Sequence, residues 1–278
     1  MRLPATPLSP TLVPLSVSAA AAAWLGLWLL ALLAGPLVSE FLGLSLNAHG
    51  HVHLYAHGHP FVDARQWWGI PNTLDVCSNL PLAVAGAWGL WVWRGRSAPE
   101  HSRRAVGVFF AGLLLSGLGS AWYHWAPDAS GLAWDRLGMA VAFAGALSLA
   151  VAERVGQAPA ARALLVWLPV GVVSAAWPLL GGDVLPWAVL QFGGMAAIVA
   201  LALRRPVPGA MGVRLGALIG LYALAKALEL GDAVVFDATA HTVSGHSLKH
   251  VVAALAAWPV WRALVRQPLR HNASRCAA

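Results

Sequence analysis

Two histidines, His246 and His250, lie four residues apart near the start of the last apolar segment of the chain. Because four residues make about one helical turn, both imidazole rings project from the same side of a helix. Ionisable side chains inside an apolar span are costly and usually functional, and paired histidines are frequent metal ligands. The pair therefore predicts half of a metal site.

The third apolar segment carries residues that could complete this site. Ser120 and His124 repeat the four-residue spacing, and Asp135 follows His124 across a short loop that contains proline and glycine. A tight helical hairpin would return Asp135 to the depth of His124. Three neutral imidazoles with an open fourth position are typical of catalytic zinc, beside which Asp135 could take a proton from water and Ser120 could donate to an oxyanion. The alternative is that each histidine only makes hydrogen bonds between helices.

The composition indicates that these residues belong to an integral membrane protein. Only 10% of the 278 residues are charged and 59% are hydrophobic, whereas soluble domains are about 25% charged. Apolar segments of helical length number eight, and they lie at about residues 17 to 43, 73 to 93, 105 to 125, 132 to 152, 161 to 179, 184 to 203, 212 to 230 and 246 to 265. The sequence therefore predicts an all-α membrane protein of eight spans, with no room for a separate soluble domain.

The positive charges predict an orientation rather than a partner. A net charge of +7 would suggest nucleic acid for a soluble protein, but the arginines lie in short loops between apolar segments, so nucleic acid is excluded. Arginines follow the second, fourth, sixth and eighth segments, and these ends are predicted to be cytoplasmic. Both termini are then cytoplasmic, and the candidate site faces the outer side of a plasma or bacterial inner membrane.

The first apolar segment is predicted to be a retained helix. It follows a short region with a single arginine, as a signal peptide would, but no clear small-residue cleavage site follows it and the sequence stays apolar to Leu46. An additional N-terminal span is therefore expected.

Four motifs occur in a characteristic order. They are Gly-Ile-Pro-Asn-Thr-Leu-Asp-Val-Cys-Ser-Asn-Leu at residues 69 to 80, Ser-x3-His ending at His124, Asp135, and Ser-Gly-His-Ser-Leu-Lys-His at residues 244 to 250. Together they resemble the alkaline ceramidases of the CREST superfamily of membrane hydrolases, whose Asn-Thr-x-x-Ser-Asn-Leu signature is similar to the first motif apart from a short insertion. The resemblance extends over about residues 61 to 265.

This resemblance implies a fold, a metal and a reaction. The fold is a seven-helix hydrolase core over residues 61 to 266, preceded by an additional helix and a His-rich outer loop in residues 1 to 60 and followed by a cytoplasmic tail in residues 267 to 278. The reaction is hydrolysis of the N-acyl amide bond of ceramide or a related lipid to a free fatty acid and a sphingoid base or amine, assisted by Ser120 and Asp135. The implied zinc ligands are His124, His246 and His250.

Calcium is not expected. Animal members of the family carry a calcium site in an acidic, tryptophan-containing segment before the first core helix. This chain has Asp63, Trp67 and Trp68 in that region but lacks the acidic cluster.

Further polar residues in the spans are candidates for supporting the site. Asn72, Asp75 and Asn79 recur at three- and four-residue spacing and predict one polar stripe, either for hydrogen bonds between helices or for support of the metal ligands. Lys249 is adjacent to His250 and does not share its helical face. It is expected to meet an acid, Asp232 or Glu229, or to touch the substrate.

Lys226 and Glu229, three residues apart in the seventh segment, predict an intramembrane ion pair or the lining of a water or proton path. Residues 48 to 59 hold five of the eleven histidines, so this loop either collects metal for the site or has only incidental affinity. These features leave two alternative functions open. One is a metal or proton transporter, and the other is a receptor-like protein that binds lipid without cleaving it.

Overall fold

The computed structural model describes residues 15 to 41 and 61 to 270, and within these ranges the chain forms helices and no β-strand. This confirms the predicted all-α class. In chain order the helices are α1 (Leu15–Phe41), α2 (Thr73–Cys77), α3 (Leu80–Arg94), α4 (Glu100–Trp125), α5 (Ala129–Arg154), α6 (Gln157–Ala176, continued by the 3₁₀ turn Trp177–Leu180), α7 (Leu185–Ala202), α8 (Leu215–Leu230), α9 (Asp232–Ala238), α10 (Gly245–Leu255) and α11 (Ala257–Val265).

Seven stretches of the described chain are long and apolar enough to cross a membrane, and they coincide with seven of the eight predicted segments. They are Ser18–Val38, Thr73–Arg94, Glu100–Trp125, Ala129–Arg154, Gln157–Leu180, Leu185–Ala202 and Gly245–Val265. The remaining segment forms α8, which has 16 residues and reaches only about 24 Å at 1.5 Å per residue, less than the roughly 30 Å of a hydrocarbon core. Gly231 separates α8 from α9, so the chain turns towards α10 before the helix reaches spanning length.

Helices α4 and α5 form an antiparallel pair at the centre of the bundle. Several glycines of both helices face the backbone of the other helix, where a Cβ atom would collide with it. Small residues let transmembrane helices approach closely, and the resulting van der Waals contacts drive their association. The two helices are the most deeply buried spans of the protein, and together they carry His124 and Asp135.

Helix α1 packs against α6 and α7. The Trp24 ring stacks on Trp167 with centroids 4.1 Å apart, and the Trp28 indole N–H donates to the Ser174 hydroxyl over 2.8 Å. Other α1 side chains, such as Leu33 at 78% exposure, face outwards, as expected of a lipid-facing helix. Its position fits the interpretation of an additional helix beside a core, while the domain boundaries at residues 60 and 266 stay predictions.

The carboxylate of Glu153 fixes the connection between α7 and α8. Glu153 is fully buried and accepts backbone N–H bonds from Met211 at 2.7 Å and from Gly212 and Val213 at 3.0 Å each. Hydrogen bonds to a charged group contribute about 1.5–3 kcal/mol each. This one side chain therefore holds the start of α8 against the end of α5.

Replacing Glu153 with alanine is expected to lower the free energy of unfolding by about 3 kcal/mol, because three backbone donors lose their acceptor. Denaturant unfolding in detergent measures the loss. Glu100→Ala is the matched control, since Glu100 pairs with Arg104 on the surface and exposed pairs contribute about 0–1 kcal/mol. Equal losses in the two variants would contradict the anchoring role.

Candidate metal centre

Three histidines from two helices meet at one end of the bundle. His124 lies in the last turn of α4, while His246 and His250 lie in the first turns of α10. One ring nitrogen from each residue lies within 4.8 Å of the others, and the Nε2 atoms of His124 and His246 are 3.2 Å apart. His124 and His250 are almost completely buried. The structure thus brings together the triad that the sequence predicts.

The histidine cluster has the properties of a metal-binding group. Tetrahedral zinc with nitrogen ligands at 2.0–2.1 Å places pairs of ligands about 3.4 Å apart, close to the spacing of the two Nε2 atoms. These three residues could hold a metal ion, and a set of three imidazoles fits zinc.

The start of α10 is fixed by contacts that set the depth of its histidines. Ser244 caps the helix by accepting a backbone N–H bond from the first turn. Gly245 lies so close to the end of α8 that a Cβ atom would collide with the carbonyl oxygen of Leu228. The backbone N–H of His246 donates to Asp232 over 2.8 Å. Asp232 thus supports a residue of the cluster and is not part of the lysine ion pair.

The predicted polar stripe on the second span contacts both histidine-bearing helices. Asp75 accepts a hydrogen bond of 2.6 Å from the Ser247 hydroxyl in α10, and the Asn72 side chain donates to the backbone carbonyl of His124 over 2.8 Å. Asn79 donates within its own segment, to the carbonyl of Asp75. Asn72 and Asp75 therefore make hydrogen bonds between helices, next to the residues they were expected to support.

Ser78 contacts the cluster directly, although sequence reasoning did not single it out. Its hydroxyl lies 2.8 Å from Nδ1 of His250, which leaves Nε2 of that ring as the free nitrogen. A partner on the second nitrogen fixes the tautomer and orientation of a ligating imidazole. The only signal in the sequence was the position of Ser78 within the Ser-Asn-Leu part of the first motif.

Replacing Ser78 with alanine is expected to weaken metal binding by about 10- to 100-fold, because His250 loses the bond that orients its ring. Competition with a chelator of known affinity measures this change. Ser148→Ala is the control, since Ser148 is also buried but bonds the carbonyl of Ala160 in another part of the bundle. An unchanged metal affinity in Ser78→Ala would show that this bond does not support the site.

Ser120 and Asp135 form a polar pair beside the cluster. Both residues line a cavity together with His250. The pair meets because Gly119 lets α4 approach α5 closely, where an added Cβ atom would lie 2.5 Å from the carbonyl oxygen of Trp134. The hairpin expected from the sequence therefore places both residues at the depth of the histidines.

The cavity beside these residues, here called the central cavity, runs between α4, α5, α7, α8 and α10. Its empty volume is about 1030 Å³, which includes open solvent at its mouth. Its walls are mostly apolar, with Leu113, Phe143, Met195 and Ile198 among them. An apolar cavity with a few polar groups at one end is the usual form of a small-molecule or lipid site.

An ionic group also lines the central cavity. Glu229 accepts from Lys249 over 2.8 Å through one carboxylate oxygen and pairs with Lys226 through the other. The predicted pairing of Lys226 with Glu229 is present. Lys249 contacts Glu229, one of the two acids expected for it.

The segment before α2 covers the histidine cluster. The ring of Phe61, which is 3% exposed, lies 4.5 Å from the ring of His124. Arg65 fixes this segment by a two-bond fork to Asp63, each bond 2.7 Å long, and by a bond of 2.9 Å to the carbonyl of Thr242. The hydrogen bond to Asp63 also raises the pKa of the Arg65 guanidinium. Phe61 therefore shields one side of the cluster.

The predicted His-rich loop at residues 48 to 59 lies outside the described residues. Comparison with known proteins found no family model that matches this chain and no curated protein that matches it. The features of this chain that bear on its function are therefore the histidine cluster, the Ser120–Asp135 pair and the central cavity.

Proposed function

We propose that this protein is a zinc-dependent membrane amidase that hydrolyses the N-acyl amide bond of ceramide or a related lipid. The observation that carries the proposal is a cluster of three histidine nitrogens within 4.8 Å of one another, one of which belongs to His250 at the polar end of an apolar cavity. A lipid whose chain occupies the cavity would present its polar amide to these residues. The motif resemblance to the alkaline ceramidases points to the same class of reaction.

Each residue of the site would have its own part in the chemistry. Zinc held by His124, His246 and His250 would supply Lewis acidity at the scissile carbonyl. Asp135 would accept a proton as the oxygen of water bonds to the acyl carbon, and it would return that proton to the nitrogen as the C–N bond breaks. Ser120 would donate a hydrogen bond to the developing oxyanion. The products are a fatty acid and an amine.

The central cavity supports an amidase over the transporter alternative. Its walls are apolar, and they suit an acyl chain better than a hydrated ion. Glu229 is engaged by both Lys226 and Lys249, so its negative charge is neutralised and does not stand free to coordinate a passing cation. A receptor-like protein that binds lipid without cleaving it would use the same cavity, and only turnover separates it from an amidase.

The distribution of positive charge supports an orientation for the proposed site. Arginines lie at the bundle end opposite the histidine cluster, for example Arg262 and Arg266 at the end of α11. Although α8 is short, it carries the chain from the arginine end of the bundle to the end with the histidines, which makes eight passes. By the excess of positive charge in cytoplasmic loops, the cluster would face the outer side of a plasma or bacterial inner membrane, and both termini would be cytoplasmic.

The decisive experiment incubates the purified protein with ceramide and with a lipid extract of its host, and identifies by mass spectrometry which species loses a fatty acid. We expect cleavage that stops on chelation and returns with zinc, and about one zinc per chain in a variant without residues 48 to 59. Absence of zinc in that variant would contradict the proposal. Uptake of metal into liposomes without lipid cleavage would favour a transporter, and lipid bound but never cleaved would favour a receptor.

A further inference from the structure

Three arginines line one groove on the bundle, here called the arginine groove. Arg214 directly precedes α8, Arg262 lies in α11 and Arg266 directly follows α11. Trp258, Pro259 and Ala263 form its apolar wall, together with Gly212 and Ala217, and no acidic residue lines it. The three guanidinium groups have neither an ion pair nor a side-chain hydrogen bond within the described part of the chain.

The arginine groove is remote from the histidine cluster. Gly245, at the start of α10, packs against Leu228 at the end of α8, so α8 runs antiparallel to α10 and α11. The start of α8 and the end of α11 consequently lie at the other end of the bundle from His246. The groove therefore belongs neither to the central cavity nor to the proposed amidase site.

Other arginines at this end of the bundle already contact groups within the protein. Arg96 donates to the carbonyl of Gln267 over 3.0 Å, Arg103 stacks over the Trp93 ring at 4.2 Å, and Arg154 lies 3.9 Å from Glu153. The arginine groove differs because it is lined by three arginines and by no acidic residue. Such a site attracts an external anion, and the planar guanidinium is suited to phosphate.

The outer face of α10 and α11 continues from the groove as an apolar stripe. Val251, Leu255 and Trp258 are 39%, 53% and 55% exposed, and they are followed on the same face by Arg262 and Arg266. Because successive members are four, three, four and four residues apart, all five project from one side of the helix. An exposed apolar face that ends in two arginines matches a molecule with hydrocarbon chains and an anionic head.

We propose that the arginine groove binds the phosphate of an anionic phospholipid, whose acyl chains lie along Val251, Leu255 and Trp258. Basic pockets at the end of transmembrane helices bind such headgroups through charge and guanidinium hydrogen bonds. The first turn of α8 follows Arg214 directly, so the positive end of this helix adds to the attraction. A zwitterionic phospholipid carries no net negative charge to complement the three arginines.

The test compares phosphatidylglycerol with phosphatidylcholine as ligands of the purified protein in detergent, using native mass spectrometry and a binding titration. We expect phosphatidylglycerol to bind at least about 10-fold more tightly. Arg262→Gln combined with Arg266→Gln should weaken phosphatidylglycerol binding by about 25-fold, at about 5-fold for each arginine near the membrane surface. Binding of phosphatidylcholine should not change.

Arg204→Gln combined with Arg205→Gln is the charge-matched control, because both residues are exposed in the connection before α8 and neither lines the groove. This variant should keep its phosphatidylglycerol affinity within about 2-fold. Equal loss in the two double variants, equal affinity for the two lipids, or inorganic phosphate binding as tightly as phosphatidylglycerol would overturn the proposal. Thermal unfolding without lipid checks the fold, and if the groove variant fails to fold, Arg214→Gln with a loss of about 5-fold provides the test.

Discussion

Replacing His250 with alanine is expected to abolish both metal binding and amide hydrolysis. His250 is only 4% exposed and contributes one of three ring nitrogens that lie within 4.8 Å of each other. The two remaining imidazoles cannot hold zinc tightly, because the loss of the third leaves one coordination position without a protein ligand. We expect zinc to fall from about one per chain to a trace, and the hydrolysis rate to fall by at least about 10³-fold.

The matched control for His250→Ala is His241→Ala. His241 belongs to the connection between α9 and α10, its side chain is 67% exposed, and it pairs with Asp237 on the surface. This variant should keep its zinc and its rate within about 2-fold. Elemental analysis and initial rates on the same preparations separate the two variants. Full hydrolysis in His250→Ala would exclude the histidine cluster as the catalytic centre.

Local periodicity explains why much of the candidate site could be predicted from the sequence. His246 and His250 share a face because their spacing matches one helical turn, and a short loop between α4 and α5 returns Asp135 to Ser120 regardless of the rest of the bundle. The apolar segments set the helices that carry them. Features that depend only on residues near one another in the chain were therefore predictable.

Contacts between distant segments were not accessible in the same way. Ser78 bonds His250 only because α2 and α3 pack beside α10, and nothing in the spacing of either segment indicates this. Phe61 covers His124 from a segment that has no helical periodicity. The short length of α8 depends on where Gly231 turns the chain, and composition alone could not distinguish this helix from a full span.

The acidic residues near the cluster make different contacts, and these contacts indicate which of them could transfer a proton. Asp75 accepts from Ser247, and Asp232 accepts from the backbone of His246, so both hold the start of α10. Glu229 is engaged by two lysines. Asp135 lines the central cavity beside Ser120 and His250. It is therefore the residue whose loss should affect chemistry and leave the metal in place.

Replacing Asp135 with asparagine is expected to lower kcat by about 10²- to 10⁴-fold, the usual contribution of a general base. Asparagine has nearly the same shape as aspartate, but its amide cannot take a proton from water at neutral pH. Zinc content should stay near one per chain and KM should change little, since the cavity walls are untouched. Steady-state kinetics with the cleaved lipid and elemental analysis give both quantities.

The control for Asp135→Asn is Asp237→Asn, which removes an equally sized charge from the exposed surface and should leave kcat unchanged. Loss of zinc in Asp135→Asn would make Asp135 a metal ligand rather than a base. An unchanged kcat with zinc retained would instead exclude Asp135 as the group that moves the proton. Because metal content and rate are measured on the same protein, a damaged site and a missing base give different results.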